Sequence, residues 1–303
     1  MPLVTIQNAN LKLDVLPEAG ASVAALEARI AGKWVPIFRP TPAEAIASGN
    51  SSLFANFALV PWSNRIRDAR FAFGGRTYEI RPNTPEGHTI HGDVRKRPWK
   101  TMAKDPSRLA FSFDSRDFAD VNFPFPFTVE LSYELAGSTL VTAVALRNDA
   151  TGAMPAGFGF HPYFRRSLLD PDDDVELQMS VRGVYRDLLP TTAAVPIGPQ
   201  EDFSRARALG ASTFDHCFAG WDGHAALRWP KSGVGVSIDA TEPFRHVVLF
   251  VPPGKDFFAV EPVSHANDGF NLLAAGVAGS GVRVLEAGVQ LAGSFRIRVD
   301  TGA

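Results

Sequence analysis

Apolar and polar residues alternate with period two over much of this chain. Val129, Leu131, Tyr133 and Leu135 alternate with Thr128, Glu130, Ser132 and Glu134. Val234, Val236 and Ile238 repeat the pattern, as do Phe295, Ile297 and Val299. Such spacing puts the apolar residues on one face of a strand. Turn formers at Gly74-Gly75, Ala136-Gly137-Ser138 and Pro252-Pro253-Gly254 divide the runs. Many short strands between turns predict an all-β sandwich or barrel. Helical signal is sparse. Thr41 to Ala47 reads as a short helix with Thr41 as cap and Pro42 in its first turn, and Asp202 to Leu209 reads as a second. No repeat, low-complexity linker or composition shift divides the sequence, so residues 1–303 read as a single domain.

Composition narrows the function classes. The 26 glycines and 23 prolines agree with many turns. Thirty basic and 32 acidic residues leave a net charge of −2, which offers no whole-chain attraction to nucleic acid or an anionic membrane. Cys217 is the only cysteine, so no intramolecular disulfide can form. A reducing cytoplasm is the expected compartment, with a cysteine-poor periplasmic protein as the alternative. The first residues lack a basic region followed by an apolar run, and no stretch of about 18 apolar residues exists, so neither a signal peptide nor a membrane helix is expected. The acidic run Asp170 to Asp174 reads as a solvated loop, because it lacks the glycine and distal glutamate of a calcium loop.

Five segments place polar groups where a strand core would not choose them. They are Pro61-Trp62-Ser63-Asn64-Arg65-Ile66, Thr89-Ile90-His91-Gly92-Asp93, Pro155 to Phe164 around His161, Phe214-Asp215-His216-Cys217-Phe218, and Val260-Glu261-Pro262. His161 lies among Phe158, Phe160, Tyr163 and Phe164, so it reads as buried and in need of hydrogen-bond partners. Gly157 and Gly159 allow close approach to the backbone just before it. Glu261 follows the apolar run Phe257 to Val260, at what reads as a strand end, and must be solvated, paired or used. Each residue also has a structural reading: a core histidine at 161, a strand-end salt bridge from Glu261 to Arg65, a turn histidine at 91, and an Asp215–arginine pair. Cys217 reads as a buried structural thiol. No nucleophile elbow, phosphate-binding glycine loop or paired-histidine zinc motif occurs, and the wide spacing of His91, His161 and Glu261 carries no metal signature.

Together, in order and spacing, these segments resemble the aldose 1-epimerase, or galactose mutarotase-like, family. The likeness rests on Asn64-Arg65-Ile66, His91-Gly92, Gly159-Phe160-His161-Pro162-Tyr163-Phe164, Asp215-His216-Cys217-Phe218 and Glu261-Pro262-Val263-Ser264-His265 with Asn271. The resemblance implies a large antiparallel β-supersandwich with few short helices. It also implies conversion between the α and β anomers of a free aldose, with His161 as general acid and Glu261 as general base. Arg65, His91 and Asp215 would hold the monosaccharide, and no cofactor or metal is implied. Monomer and homodimer are both compatible.

The chemistry suits these residue types. Opening the ring takes a proton from the C1 hydroxyl and gives one to the ring oxygen; closure reverses both. A carboxylate and an imidazolium suffice, and each positioned transfer supplies about 10²–10⁴-fold in rate. A free histidine, with a pKa of about 6.5, is only roughly a quarter protonated at neutral pH. The site is therefore expected to raise the His161 pKa, with Asp215 or Glu261 as the nearby carboxylate. Trp62, Trp99 and Phe160 are candidates for a sugar-packing surface, with burial in the core as the alternative.

The Glu-Pro-Val-Ser-His segment departs from the Glu-Thr-Gln form of the best-known galactose mutarotases, so galactose is not assigned as substrate. The run Arg95-Lys96-Arg97 reads either as a solvated basic turn or as a contact for an anionic sugar substituent such as a phosphate or sulfonate. An anionic-sugar epimerase, a non-catalytic sugar-binding module, and a sugar lyase or isomerase on the same scaffold are the rival readings.

Overall fold

The computed structural model describes residues 1–302. Its strand pairings are antiparallel throughout. A nine-stranded sheet forms one broad layer, ordered Lys100–Asp105, Arg108–Asp114, Phe127–Ala136, Thr139–Asn148, Gln290–Asp300, Val234–Ala240, His224–Trp229, Glu176–Met179 and Arg207–Ala208. A seven-stranded sheet contains Gly183–Tyr185, Phe214–Ala219, His246–Val251, Phe257–Val263, Gly159–Phe160 and Ala58–Leu59 in that order, with Tyr163–Arg165 also pairing to Phe257–Val263. Val4–Gln7, Leu11–Leu16, Ser22–Ile30 and Lys33–Pro36 make a further four-stranded sheet.

The period-two pattern explains how these sheets meet. Val129, Leu131 and Tyr133 of one sheet and Phe258, Val260, Leu249 and Phe218 of another join Leu11, Leu13 and Val15 in one large core. The opposite face of the seven-stranded sheet is also covered. There Ala259, Val263, Val248, Cys217 and Tyr163 pack with Phe57, Phe54 and Leu16 in a second, smaller cluster. Strands buried on both faces read as continuous apolar runs, which is why Phe257 to Val260 shows no alternation.

Several expectations change here. Glu261 is not at a strand end; it lies inside the Phe257–Val263 strand, opposite Val248. Period two puts it on the face of Ala259 and Val263, away from the main core. The helix expected near Thr41 forms at Ala43–Ser48, but Pro42 occupies its N-cap and the Thr41 hydroxyl instead accepts from the Ala55 amide, at 3.0 Å. Asp202 to Leu209 is not helical. Phe203 and Leu209 are buried anchors, Arg207–Ala208 forms a short edge strand, and the Arg207 guanidinium binds the Pro199 and Gln200 carbonyls. A helix that the pattern did not suggest spans Gly269–Ala274. In the acidic run, Asp173 is buried and accepts from the Lys231 and Ser232 amides at 3.0 and 2.8 Å, so that residue is a turn anchor rather than a solvated charge.

Candidate active site

The second face of the seven-stranded sheet carries the candidate chemistry. Pro162 interrupts pairing between Gly159–Phe160 and Tyr163–Arg165, and His161 sits in that break with its amide bonded to the Phe57 carbonyl at 3.1 Å. Phe160 and Phe164 enter the main core, so His161 and Tyr163 face the other way. His161 Nε2 lies 3.2 Å from Glu261 Oε1, and the two residues are only 6% and 2% exposed. The second carboxyl oxygen, Oε2, is buried without a partner. The Tyr163 ring stacks on the imidazole at 4.2 Å between centroids, with its hydroxyl 3.3 Å from Nε2, while Phe57 lies at 5.1 Å.

The other three candidates surround this pair. Arg65 begins the short strand Arg65–Ile66 and His91 directly follows its partner strand Thr89–Ile90, with the His91 amide donating to the Asn64 carbonyl at 2.9 Å. Asn64, His91 and Gly92 all have positive φ (50°, 67° and 64°), turning the backbone sharply at each. At Gly92 a Cβ would lie 2.0 Å from the Val60 carbonyl oxygen, so only glycine fits. The His91 ring approaches His161 at 5.4 Å. Asp215 lies on the Phe214–Ala219 strand opposite Phe250, whose ring is 6.2 Å from that of His161. The structure thus brings all five sequence candidates to one region.

Electrostatics differ from expectation. Burial, reinforced by the Arg39 and Arg95 charges, lowers the His161 pKa to about 3. Burial and then Asp215 raise Glu261 well above the usual carboxylate range, opposed by Arg65. The expected upward shift of His161 is therefore overturned, because removal from water outweighs a carboxylate that is itself driven neutral. Both shifts favour a neutral imidazole beside a protonated carboxyl. Asp215 is raised by burial, and His91 is pushed well below its ordinary value by burial and by Arg95, His161 and Arg65.

The aldose 1-epimerase family profile matches residues 2–297. The chain belongs to the aldose 1-epimerase family. The uncharacterized protein YphB of Escherichia coli K12 is 29% identical over 280 residues, covering 88% of this chain and 90% of YphB. YihR from the same organism is 26% identical over 224 residues, 70% of each chain. Among solved structures, a putative aldose 1-epimerase from Escherichia coli K12 superimposes with a TM-score of 0.83 at 25% identity, covering 99% of both chains. A galactose mutarotase-like protein from Clostridium acetobutylicum gives 0.86 at 20% identity, covering 98% of this chain and 95% of that one. The supersandwich expected from the sequence is the fold observed.

In this aldose 1-epimerase family member, other residues hold the candidates in place. His265 accepts from the Ser63 amide through Nε2 at 3.0 Å and donates from Nδ1 to its neighbour's carbonyl, Ala266 O, at 2.7 Å. Burial lowers its pKa to about 4, which suits that neutral tautomer. Gly157 makes room for it: a Cβ there would meet His265 Cδ2 at 2.1 Å. The Asp268 amide donates to the Arg65 carbonyl at 2.9 Å and its carboxylate receives the Arg67 amide at 3.0 Å. The Glu261 strand and its continuation therefore brace the Arg65 segment. Trp62, Trp99 and Phe160 are core residues, not a sugar platform. The aromatics beside the pair are Phe57, Tyr163 and Phe250. Cys217 is buried and its thiol pushed up to about 12, in keeping with a structural role.

Proposed function

We propose that this chain interconverts the α and β anomers of an aldose by proton-assisted ring opening and closure, with His161 and Glu261 as the acid/base pair and Arg65, His91 and Asp215 holding the sugar. The observation that carries this reading is the buried 3.2 Å contact between His161 and Glu261, with a free carboxyl oxygen. Ring opening moves one proton off the C1 hydroxyl and one onto the ring oxygen. A pair that holds a single proton meets both needs: the protonated member donates and the other accepts. After rotation about the C1–C2 bond, closure runs the same transfers in reverse onto the other carbonyl face.

Proton placement sets which member acts first. His161 as acid needs the proton on the imidazole, whereas burial shifts both groups toward keeping it on Glu261. Transfer along the contact leaves the net charge unchanged, so the two assignments differ by one short proton shift. Arg65 and His91 supply donors, and Asp215 an acceptor, for sugar hydroxyls and the ring oxygen. The test is exchange spectroscopy of anomeric protons with purified protein and a panel of aldoses. Catalysed exchange that disappears in Glu261→Gln and His161→Asn supports the proposal; sugar binding without faster exchange would leave a binding module.

A further inference from the structure

Hydrogen bonds alone do not hold the His161 imidazole. Its Nδ1 is buried and has no partner among the described residues. Nε2 meets two groups, Glu261 Oε1 at 3.2 Å and the Tyr163 hydroxyl at 3.3 Å. Proton-assisted ring opening uses the first and gives the second no part. It also loosens the first, because an Nε2 that serves the sugar's ring oxygen no longer serves Glu261. Another contact then has to keep the imidazole where it is.

Tyr163 is built for that task. Four rings surround the imidazole. Phe57, His91 and Phe250 lie at 5.1, 5.4 and 6.2 Å and meet it tilted or edge-on. Only Tyr163 stacks, at 4.2 Å and 26°. The Arg39 guanidinium lies 3.7 Å from the centre of the Tyr163 ring and 4.5 Å from that of Phe257, which meets Tyr163 edge-on at 5.2 Å. Two flat groups this near one ring centre occupy its two faces, so Tyr163 is clamped between a cation and the imidazole. Arg39 is itself tied by a donor to the Phe54 carbonyl at 2.9 Å. The Tyr163 backbone is fixed at both ends: its amide donates to the Ala55 carbonyl at 2.9 Å, and its carbonyl accepts from the Arg39 amide at 2.8 Å. In register it stands opposite Ala259, two residues before Glu261 on the same strand. Strand pairing thus places this ring relative to both members of the pair.

We propose that Tyr163 is a positioning residue for His161. Its ring sets the plane of the imidazole and its hydroxyl steadies Nε2, so that the nitrogen stays in place when its contact with Glu261 opens. This rests on reading His161–Glu261 as the ring-opening centre. The hydroxyl is not an acid in its own right. Burial, then the Glu261 charge, raises its pKa to about 12, so at neutral pH it gives a hydrogen bond without giving up its proton. Small displacements of a reacting group cost up to about 10²-fold, so a positioning role is visible in kcat. Its two parts are separable: phenylalanine keeps the ring and drops the hydroxyl, whereas leucine drops both.

The test measures anomer exchange by the wild type, Tyr163→Phe and Tyr163→Leu on the aldose that the wild type turns over fastest. Histidine labelled with ¹⁵N reads the His161 nitrogens by NMR. Tyr163→Leu should lower kcat by about 30- to 100-fold. KM should stay within about threefold of wild type, because Tyr163 touches His161 rather than the sugar. Tyr163→Phe should recover most of the loss and leave kcat about 3- to 10-fold down, the worth of one hydrogen bond. It should also move the His161 Nε2 resonance while that of His224, exposed and paired with Asp239, stays put. A merely structural role would lower the melting temperature without that selective shift. The NMR measurement needs only the conservative variant. A Tyr163→Leu protein with kcat within about threefold of wild type, or a Tyr163→Phe protein with both kcat and the Nε2 resonance unchanged, overturns this inference and leaves the epimerase reading standing. Absence of catalysed exchange by the wild type on every aldose overturns both.

Discussion

Glu261→Gln is the sharpest test of the acid/base pair. The replacement keeps the side-chain shape, and an amide can still meet His161 Nε2 across the 3.2 Å contact. What it removes is the group that can give up a proton and take one back. One positioned transfer contributes about 10²–10⁴-fold, so kcat should fall by that factor, which at ~1.36 kcal/mol per decade is about 2.7–5.4 kcal/mol of barrier. The fold should barely respond. The carboxyl group is buried and burial raises its pKa, which favours the neutral form that glutamine matches in shape and polarity. Each kcal/mol of lost stability corresponds to roughly 2–4 °C in a chain of this size, and a shift of no more than a few degrees is expected by circular dichroism. Polarimetry of a freshly dissolved pure anomer, corrected for spontaneous mutarotation, reads the rate. A variant that folds normally and turns over within about threefold of wild type contradicts the role of Glu261 in proton transfer.

His161→Asn should cost a similar factor, and the double variant should cost little more than either single one, because the two residues work as a unit. Gly157→Ala should drive its new Cβ into His265, 2.1 Å away, and overpacking of this kind costs about 1–3 kcal/mol; the melting temperature should drop and sugar affinity weaken as the Arg65 segment loses its brace. His246 offers a pH test. Burial lowers its pKa to about 4, with its ring 3.1 Å from the Gly279 carbonyl. Between pH ~6.5 and 4 the unfolded chain binds a proton there that the folded chain refuses, so this residue makes the fold less stable as pH falls, by at most about 1.4 kcal/mol per unit. His246→Asn should therefore flatten the decline of unfolding free energy in urea titrations at pH 7, 5.5 and 4.5. An identical slope in both proteins would show that His246 is not held neutral.

The alternation along Val129 to Leu135 and Phe295 to Val299 made the sandwich readable, since burial on one face imposes period two. His161 and Glu261 were readable as polar groups set in apolar runs, whereas Arg65, His91 and Asp215 stood out through the resemblance of their segments, taken in order, to the aldose 1-epimerase family. The position of Glu261 inside its strand was not, since a strand covered on both sides shows no alternation and Pro262 looks like a terminator. Asp202 to Leu209 misled because Phe203 and Leu209 are buried from an irregular path that no glycine or proline between them announces. Arg39 gave no signal. It follows Ile37 and Phe38 as any surface arginine might follow a strand, and its ring partners Tyr163 and Phe257 are more than a hundred residues away. The depressed His161 pKa was likewise out of reach, because it depends on how deeply the pair is buried and on cations contributed by distant loops.

The proposed acid/base pair and the groups around it stand on different parts of the fold. Glu261 rides on a strand paired from Ala259 to Val263 with the His246–Val251 strand, whereas Arg65 stands on, and His91 directly follows, a two-residue ladder outside the large sheets. The proposed proton chemistry is thus anchored in a large sheet together with Asp215, and the other two proposed sugar contacts, Arg65 and His91, on a rim of short segments. Exchanging the rim segments between homologues should retarget the catalyst to a new sugar while leaving its anomer-exchange chemistry in working order.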